Sequence, residues 1–266
     1  MLQATLPLAV RVERAEIDFC AAAARAGEPA GAESLEVGGG RALCGAPGSP
    51  FNKVLGLGLA GEVTDFDLDA IDAFYDERRV APQIELCPLA PAPLARRLHE
   101  RGYVLQGFEN ELARALPAEP LPEPAGVEVN RHVDDEQWIR IVAAGFATAE
   151  GASVAADPQA AATLSDVMRS FVHPAITRYV VSIDGQPAGA GASYVWHGVA
   201  GIVGTATLAA FRRRGVQTAL VARAVNDAIG RSDLVVATTE PGSTSQRTFE
   251  RFGFQVLYTR AILLRP

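Results

Sequence analysis

Residues Thr205 to Gly230 read TATLAAFRRRGVQTALVARAVNDAIG, and this stretch decides the fold. Its beginning, together with Gly201–Leu208, has the β-branched and small residues of a strand. Its end places apolar residues at Val216, Leu220, Ala224 and Ala228, with Val221 and Val225 beside them. That is the stripe of an amphipathic helix, and Gly230 stops it. Between the two stands the basic turn Arg212-Arg213-Arg214-Gly215. A strand passing through such a turn into a helix makes an anion site. The first N–H groups of the helix have no internal acceptor, and its dipole puts partial positive charge there. Gly215 lets the backbone come close to a pyrophosphate, and the arginines neutralise it. The bland alternative for the same residues is a solvated basic helix start.

Outward from this stretch, Val127–Asn130 reads as a strand and Asp134-x-x-Gln137 as the cap of a helix buried through Trp138, Ile141, Val142 and Phe146. An alanine-rich helix over about Pro158–Phe171 follows. Asp184-Gly185 and His197-Gly198 are turns between apolar runs, predicting the strands Tyr179–Ile183, Ala188–Trp196 and Val199–Thr207. Leu234–Thr238 reads as a buried strand, Ser243-x-x-Gln246 opens a short helix ending at Gly253, and Gln255–Leu264 is a last strand. An antiparallel meander passing into a β-α-β-α-β unit is an α/β architecture, a mixed sheet flanked by helices.

Leu116–Gly126, LPAEPLPEPAG, has four prolines in eleven residues and reads as an extended linker between residues 1–115 and 127–266. The first part repeats the second. Leu98–Tyr103 matches Phe249–Phe254 at an offset of 151. The same offset lays Gln83–Cys87 on Leu234–Thr238, Thr64–Glu77 on Gly215–Ala228 and Val54–Gly58 on Thr205–Ala209. A tandem duplication is expected, with two unrelated α/β units as the alternative. The loop is not repeated. Gly61-Glu62-Val63-Thr64 stands where Arg212–Gly215 stands, and Thr64-x-x-Asp67 reads as a helix cap. The halves are expected to pack face to face.

Arg212–Gln217 resembles the pyrophosphate loop of the GNAT superfamily, Arg/Gln-x-x-Gly-x-Gly/Ala, with Gln217 in place of the second small residue. Pro241–Phe254 (PGSTSQRTFERFGF) is similar to the family's fourth-helix signature ending in Gly-Phe. The resemblance covers Val127–Pro266, with a degenerate echo before the linker. It implies two tandem GNAT-like domains, the first without a cofactor loop. It further implies acetyl-CoA as co-substrate, held by Thr205, Ala206, Thr207, Arg212, Arg213, Arg214, Gly215, Val216, Gln217 and Thr218. The expected reaction is N-acetylation of a primary amine by direct attack, with no metal. Phe249 occupies the family's proton-donor tyrosine position and Ala237 a position where some members carry a glutamate. Glu240, Ser243 and Ser245 are the substitutes in reach; helix capping is the alternative role of Ser243, and a solvated carboxylate that of Glu240. Tyr194 and Tyr258 are hydroxyl donors on predicted strands, with core or sheet-face aromatics as the other reading, and Glu109 and Asn110 read as acceptor contacts or polar residues of an edge strand. A non-catalytic acyl-CoA-binding protein and an O- or S-acyltransferase are the rival readings.

Composition narrows the remainder. At 48% hydrophobic and 21% charged the chain can bury a core, and its net charge of −7 with no long basic patch argues against nucleic acid and mildly for a cationic partner. No apolar run is long enough for a bilayer, and Met1–Val10 makes a poor signal peptide. Cys20, Cys44 and Cys87 have neither disulfide nor zinc spacing, so a reducing cytoplasm is the expected compartment. Pairing of the two halves stands in for a homodimer, so a monomer is the expected state.

Overall fold

The computed structural model describes residues 2–27, 32–45, 48–116, 119–131, 133–148 and 158–266; Pro117 and Ala118 of the expected linker lie outside them. Residues 1–115 supply α1 (Leu6–Gly27), β1 (Glu33–Val37), β2 (Gly40–Cys44), β3 (Lys53–Leu55), α2 (Asp65–Asp76), β4 (Gln83–Leu86), α3 (Pro93–Glu100) and β5 (Val104–Ala115). The remainder supplies β6 (Val127–Asn130), α4 (Asp135–Ala147), α5 (Pro158–Arg169), β7 (Ile176–Ile183), β8 (Gln186–Trp196) and β9 (Val199–Thr207). It ends with α6 (Val216–Ala228), β10 (Leu234–Thr239), α7 (Thr244–Arg251) and β11 (Gln255–Leu264). Local signals lie where the sequence puts them. Asp134 accepts from Gln137 N at 2.7 Å, Thr64 and Asp67 form a capping box, and the Asp184-Gly185 and His197-Gly198 turns all have positive φ.

All eleven strands join in one sheet, ordered β1-β2-β3-β4-β11-β5-β10-β9-β8-β7-β6. The middle of that order departs from the chain order. β5 pairs with β10 and β11, and β11 pairs with β4 and β5, so each half lends its last strand to the other. The expected face-to-face packing is therefore replaced by an edge-to-edge junction. Exchange gives β5 and β11 hydrogen-bonded neighbours on both sides and leaves no open edge where the halves meet. Glu109 and Asn110 accordingly lie on a central strand, and Asn110 is buried.

The offset of 151 holds in three dimensions. It carries α3 onto α7 end to end, Pro93 onto Thr244 and Glu100 onto Arg251, and the start of β5 onto that of β11. In the β5–β11 ladder the extra residues are Gln106 and Leu257, themselves 151 apart, and Glu109 lies opposite Arg260, again 151 apart. The ladder thus has a local two-fold centred on that pair.

One face of the sheet is covered by α1, α4 and α5 around Phe19, Phe51, Trp138, Phe171 and Tyr194. α6 and α7 cover the other through Val216, Leu220, Val225 and Phe249, and α2 and α3 close the first half through Leu68, Ile71, Tyr75 and Leu98. α1 has no clear stripe in the sequence, because its alanines are buried nearly all round and it lies under the junction.

Beneath α1 the sheet is ionic. Arg260 on β11 is fully buried and meets Glu13 at 2.9 Å and Glu16 at 2.5 Å on α1, Glu85 on β4 at 3.3 Å and Glu111 on β5 at 3.5 Å. Lys53 on β3 reaches Glu85 at 2.8 Å, and Tyr258 donates to Glu13 at 2.9 Å. Burial pushes Glu13 above the usual carboxylate range although Arg260 opposes it. Glu16 is also raised by burial, but Arg260 and Lys53 outweigh that and hold it low. Burial pushes Glu111 up to about 8 against the pull of Arg260.

Arg260→Leu should cost about 3–5 kcal/mol, read from urea denaturation, because it strands several buried carboxylates. The pH dependence has a defined sign. A glutamate ionises near 4.5 when unfolded, whereas Glu111 keeps its proton to about 8 in the folded chain. Folding takes up that proton, so its stabilisation is full below about 4.5 and lost as pH rises through about 8. Glu111→Gln should make urea midpoints fall less steeply across that window; Glu13, raised as well, leaves a residual slope.

Candidate active site

β9 and β10 run parallel, but they pair only from Leu234–Val199 to Val236–Gly201. Beyond that point β9 stays with β8 as far as Thr207, and β10 stays with β5 as far as Thr239. The facing backbone groups of Ile202–Thr207 and Ala237–Thr239 are left without a strand partner across the gap. A bulge in β9 sets Gly204 and Thr205 against Gly191 of β8 alone, with Gly204 at φ +59°, and bends β9 away. Gly145 lets α4 close over the gap, since a Cβ there would stand 2.7 Å from that of Ala206. At the end of β10 the Thr239 hydroxyl is buried and has no hydrogen-bond partner among the described residues.

β9 runs out into a single 3-10 turn, Ala209–Phe211, and then into the basic loop. Arg213 and Gly215 are both left-handed, at φ +60° and +84°, and no side chain caps α6. The loop therefore presents the unpaired first N–H groups of α6, at Val216, Gln217 and Thr218, beside the mouth of the gap. Its arginines are not equivalent. Arg212 donates to the Thr148 carbonyl and hydroxyl at the end of α4. Arg214 lies over the Phe211 ring and 3.5 Å from Asp184. Arg213 is exposed and has no ion pair or hydrogen bond among the described residues. Gln217, where the resemblance departs, donates to Ser245 Oγ at 3.3 Å and ties the start of α6 to α7. Val216 is a core residue.

The expected catalytic residues beyond β10 have different settings. Ser243 is the N-cap of α7, accepting from Gln246 N at 3.1 Å. Ser245 is held by Gln217, and Glu240 is exposed just past β10. Phe249 is sealed in the core, edge-on to Phe254, and Ala237 is buried in the same cluster. The equivalent loop of the first half is satisfied from within. Arg97 donates to the Val63 carbonyl and to Asp65 at 2.7 Å. Among the described residues no group of His, Cys, Asp and Glu is arranged to hold a metal, and no helix is long and apolar enough to cross a membrane.

Sequence reasoning weighed Tyr194 as a hydroxyl donor but did not single out Glu16 or Glu111 on the α1 face of the gap. A cavity of about 20 Å³ opens there, lined by Glu16, Phe19, Glu111, Tyr194, Gly201 and Thr238 among others. Thr238 Oγ1 donates to Glu111 Oε2 at 3.0 Å. Tyr194 lies across Gly201, where a Cβ would stand 2.1 Å from its ring. The only hint in the sequence was a glutamate at an inward position of the strand Gly107–Arg114.

Residues 147–254 match the sequence model of the Acetyltransferase (GNAT) family. No curated protein matches the chain. Among solved structures, a GCN5-related N-acetyltransferase from Kribbella flavida is similar at 20% identity and a TM-score of 0.72, covering 97% of this chain and 96% of that one. A GCN5-related N-acetyltransferase from Sphaerobacter thermophilus gives 16% and 0.56, covering 99% and 95%. A tandem GNAT protein from the clavulanic acid biosynthesis pathway gives 14% and 0.55, covering 99% and 96%. Residues 147–254 are thus similar to the acetyltransferase (GNAT) family, and nearly the whole chain shares the fold of these solved structures.

Proposed function

We propose that the chain is an acetyl-CoA-dependent N-acetyltransferase acting on a primary amine, with one coenzyme site, in residues 127–266. The observation that carries this is the gap between β9 and β10 opening onto the uncapped start of α6. A ligand for that shape is a polar chain that hydrogen-bonds to two strands at once and ends in a pyrophosphate. Arg213 and the N–H groups of Val216, Gln217 and Thr218 would hold the pyrophosphate. Thr205, Ala206 and Thr207 on one side and Ala237 to Thr239 on the other would hold the pantetheine amides. The buried Thr239 hydroxyl, without a partner among the described residues, is a further group that such a ligand satisfies. Acetyl-CoA supplies the activated acyl group, and the residues here bind it and exclude water. The exchange of β5 and β11 completes both halves within one chain, which supports a monomer. Three cysteines without disulfide spacing fit the cytoplasm.

One observation favours a second reading, a non-catalytic acyl-CoA-binding protein. Phe249, at the usual donor position, is sealed in the core and has no proton to give. Thiol release from acetyl-CoA across a panel of amines separates the two. No release with intact CoA binding favours the second.

Arg213→Glu and Gly215→Glu should each weaken CoA binding by about 1–3 kcal/mol in calorimetry while leaving the fold intact. Stoichiometry should be one per chain, measured on the whole chain because a piece beginning at Pro124 lacks β5. Unchanged affinity in both variants sinks the assigned loop.

A further inference from the structure

The ionic cluster under α1 reaches the gap. Thr238 of β10, Glu111 of β5 and Tyr258 of β11 lie opposite one another in register, so one row of side chains runs from the buried Arg260 to the strand that borders the gap. At its end stands the cavity of about 20 Å³. That is room for one water-sized group, the size of an ammonium head. Its polar lining is acidic, from Glu16 and Glu111. Glu111 Oε2 takes the Thr238 hydroxyl and lies 3.5 Å from Arg260, while no described residue donates to Oε1. Thr238 itself is exposed, which gives the row an outlet to solvent.

Charge favours the same occupant. The groups around Glu111 are Glu13 and Glu16 of α1, Glu109 of β5, Glu85 of β4, Lys53 of β3, Arg260 and Tyr258 of β11, Tyr194 of β8, and the thiols Cys20 and Cys87. Once Glu111 ionises, at about 8, it joins Glu16 and Glu85 and the carboxylates outnumber Arg260 and Lys53, so a third cation is stabilised there where a neutral or anionic group is not. Tyr194 sits against Gly201, the last paired residue of β9, and its ring walls the cavity on the side of the unpaired strand.

We propose that Glu111, carried by the strand lent from the first half, is the catalytic base of this site, and that the acceptor is an amine that enters as its ammonium ion between Glu111, Glu16 and Tyr194. This rests on the acyl-transfer reading and names its base and acceptor class. In the step, one N–H bond of the ammonium breaks, its proton goes to a Glu111 carboxylate oxygen, and the electron pair stays on nitrogen. That pair forms the bond to the thioester carbonyl carbon as the carbon–sulfur bond breaks. The second proton lost by nitrogen goes to the departing thiolate, and Glu111 later returns its own to solvent. The half without a cofactor loop then supplies chemistry as well as surface.

Ethylamine is the probe, with whole wild-type chain, Glu111→Gln and Thr238→Val. Thiol release from acetyl-CoA in wild type should rise with pH through about 8, where Glu111 ionises. Glu111→Gln should lower kcat/KM about 10²–10⁴-fold, abolish that limb and leave CoA affinity within about threefold. Independently of turnover, NMR titration without CoA above about pH 8, where Glu111 is ionised, should show ethylammonium binding at least about tenfold more weakly to Glu111→Gln than to wild type. Thr238→Val removes the hydroxyl that favours the ionised carboxylate, so it should move the limb to higher pH with CoA binding kept. That variant decides the matter if Glu111→Gln fails to fold. Unchanged rate and limb in Glu111→Gln, equal ethylammonium binding, or an unmoved limb in Thr238→Val overturns the proposal. Loss of CoA binding by wild type instead overturns the acyl-transfer reading beneath it.

Discussion

Arg260 is the contact on which the architecture turns. It belongs to the last strand of the chain, yet its four carboxylate partners, Glu13, Glu16, Glu85 and Glu111, all lie in residues 1–115. A guanidinium without solvent needs carboxylates on several sides, since burial alone opposes its charge. Only a β11 inserted between β4 and β5 puts it among all four. The pairing that an unexchanged β11 would have beside β10 would leave that charge buried and uncompensated. Hydrophobic area favours any close packing of the two halves. The ion cluster selects this one.

The same junction places the candidate site. β10 is held on one side by the lent strand β5, so when β9 bends away at its bulge, β10 stays with β5 and the gap opens between β9 and β10. Both strands that border the gap then come from residues 127–266, and the surface behind it from residues 1–115. The loop Arg212–Gly215 lies wholly in the second half and is local in sequence. The acidic cavity is not, because Glu16, Glu111 and Tyr194 come from three distant segments.

That contrast explains what could be read from the residues alone. Caps such as Asp134 and Thr64, the two hairpin turns, Gly215, and the offset between Leu98–Tyr103 and Phe249–Phe254 are encoded within a few residues of where they act. The basic loop Arg212–Gly215 was legible as a loop for the same reason. Glu109 and Asn110 resembled edge residues because polar side chains in a strand ordinarily face water. Here their strand is central, and a cluster of charges from elsewhere in the chain makes those side chains tolerable. The helix α1 was invisible because a helix buried nearly all round has no polar face to give it period. No local pattern announces that two strands have changed places.

The β5–β11 ladder centres on Glu109 facing Arg260. On a true two-fold axis a residue meets its own copy, so an assembly of two identical first halves would set glutamate against glutamate, and two second halves arginine against arginine. Like charges opposite one another in a ladder are destabilising. The central pair can have opposite signs only when the halves differ, and in one chain they are always present in equal number. Fusion here does more than raise local concentration. It lets symmetry be broken at the one position where a homodimer must keep it, and once broken there, neither half retains a self-complementary edge with which to assemble alone.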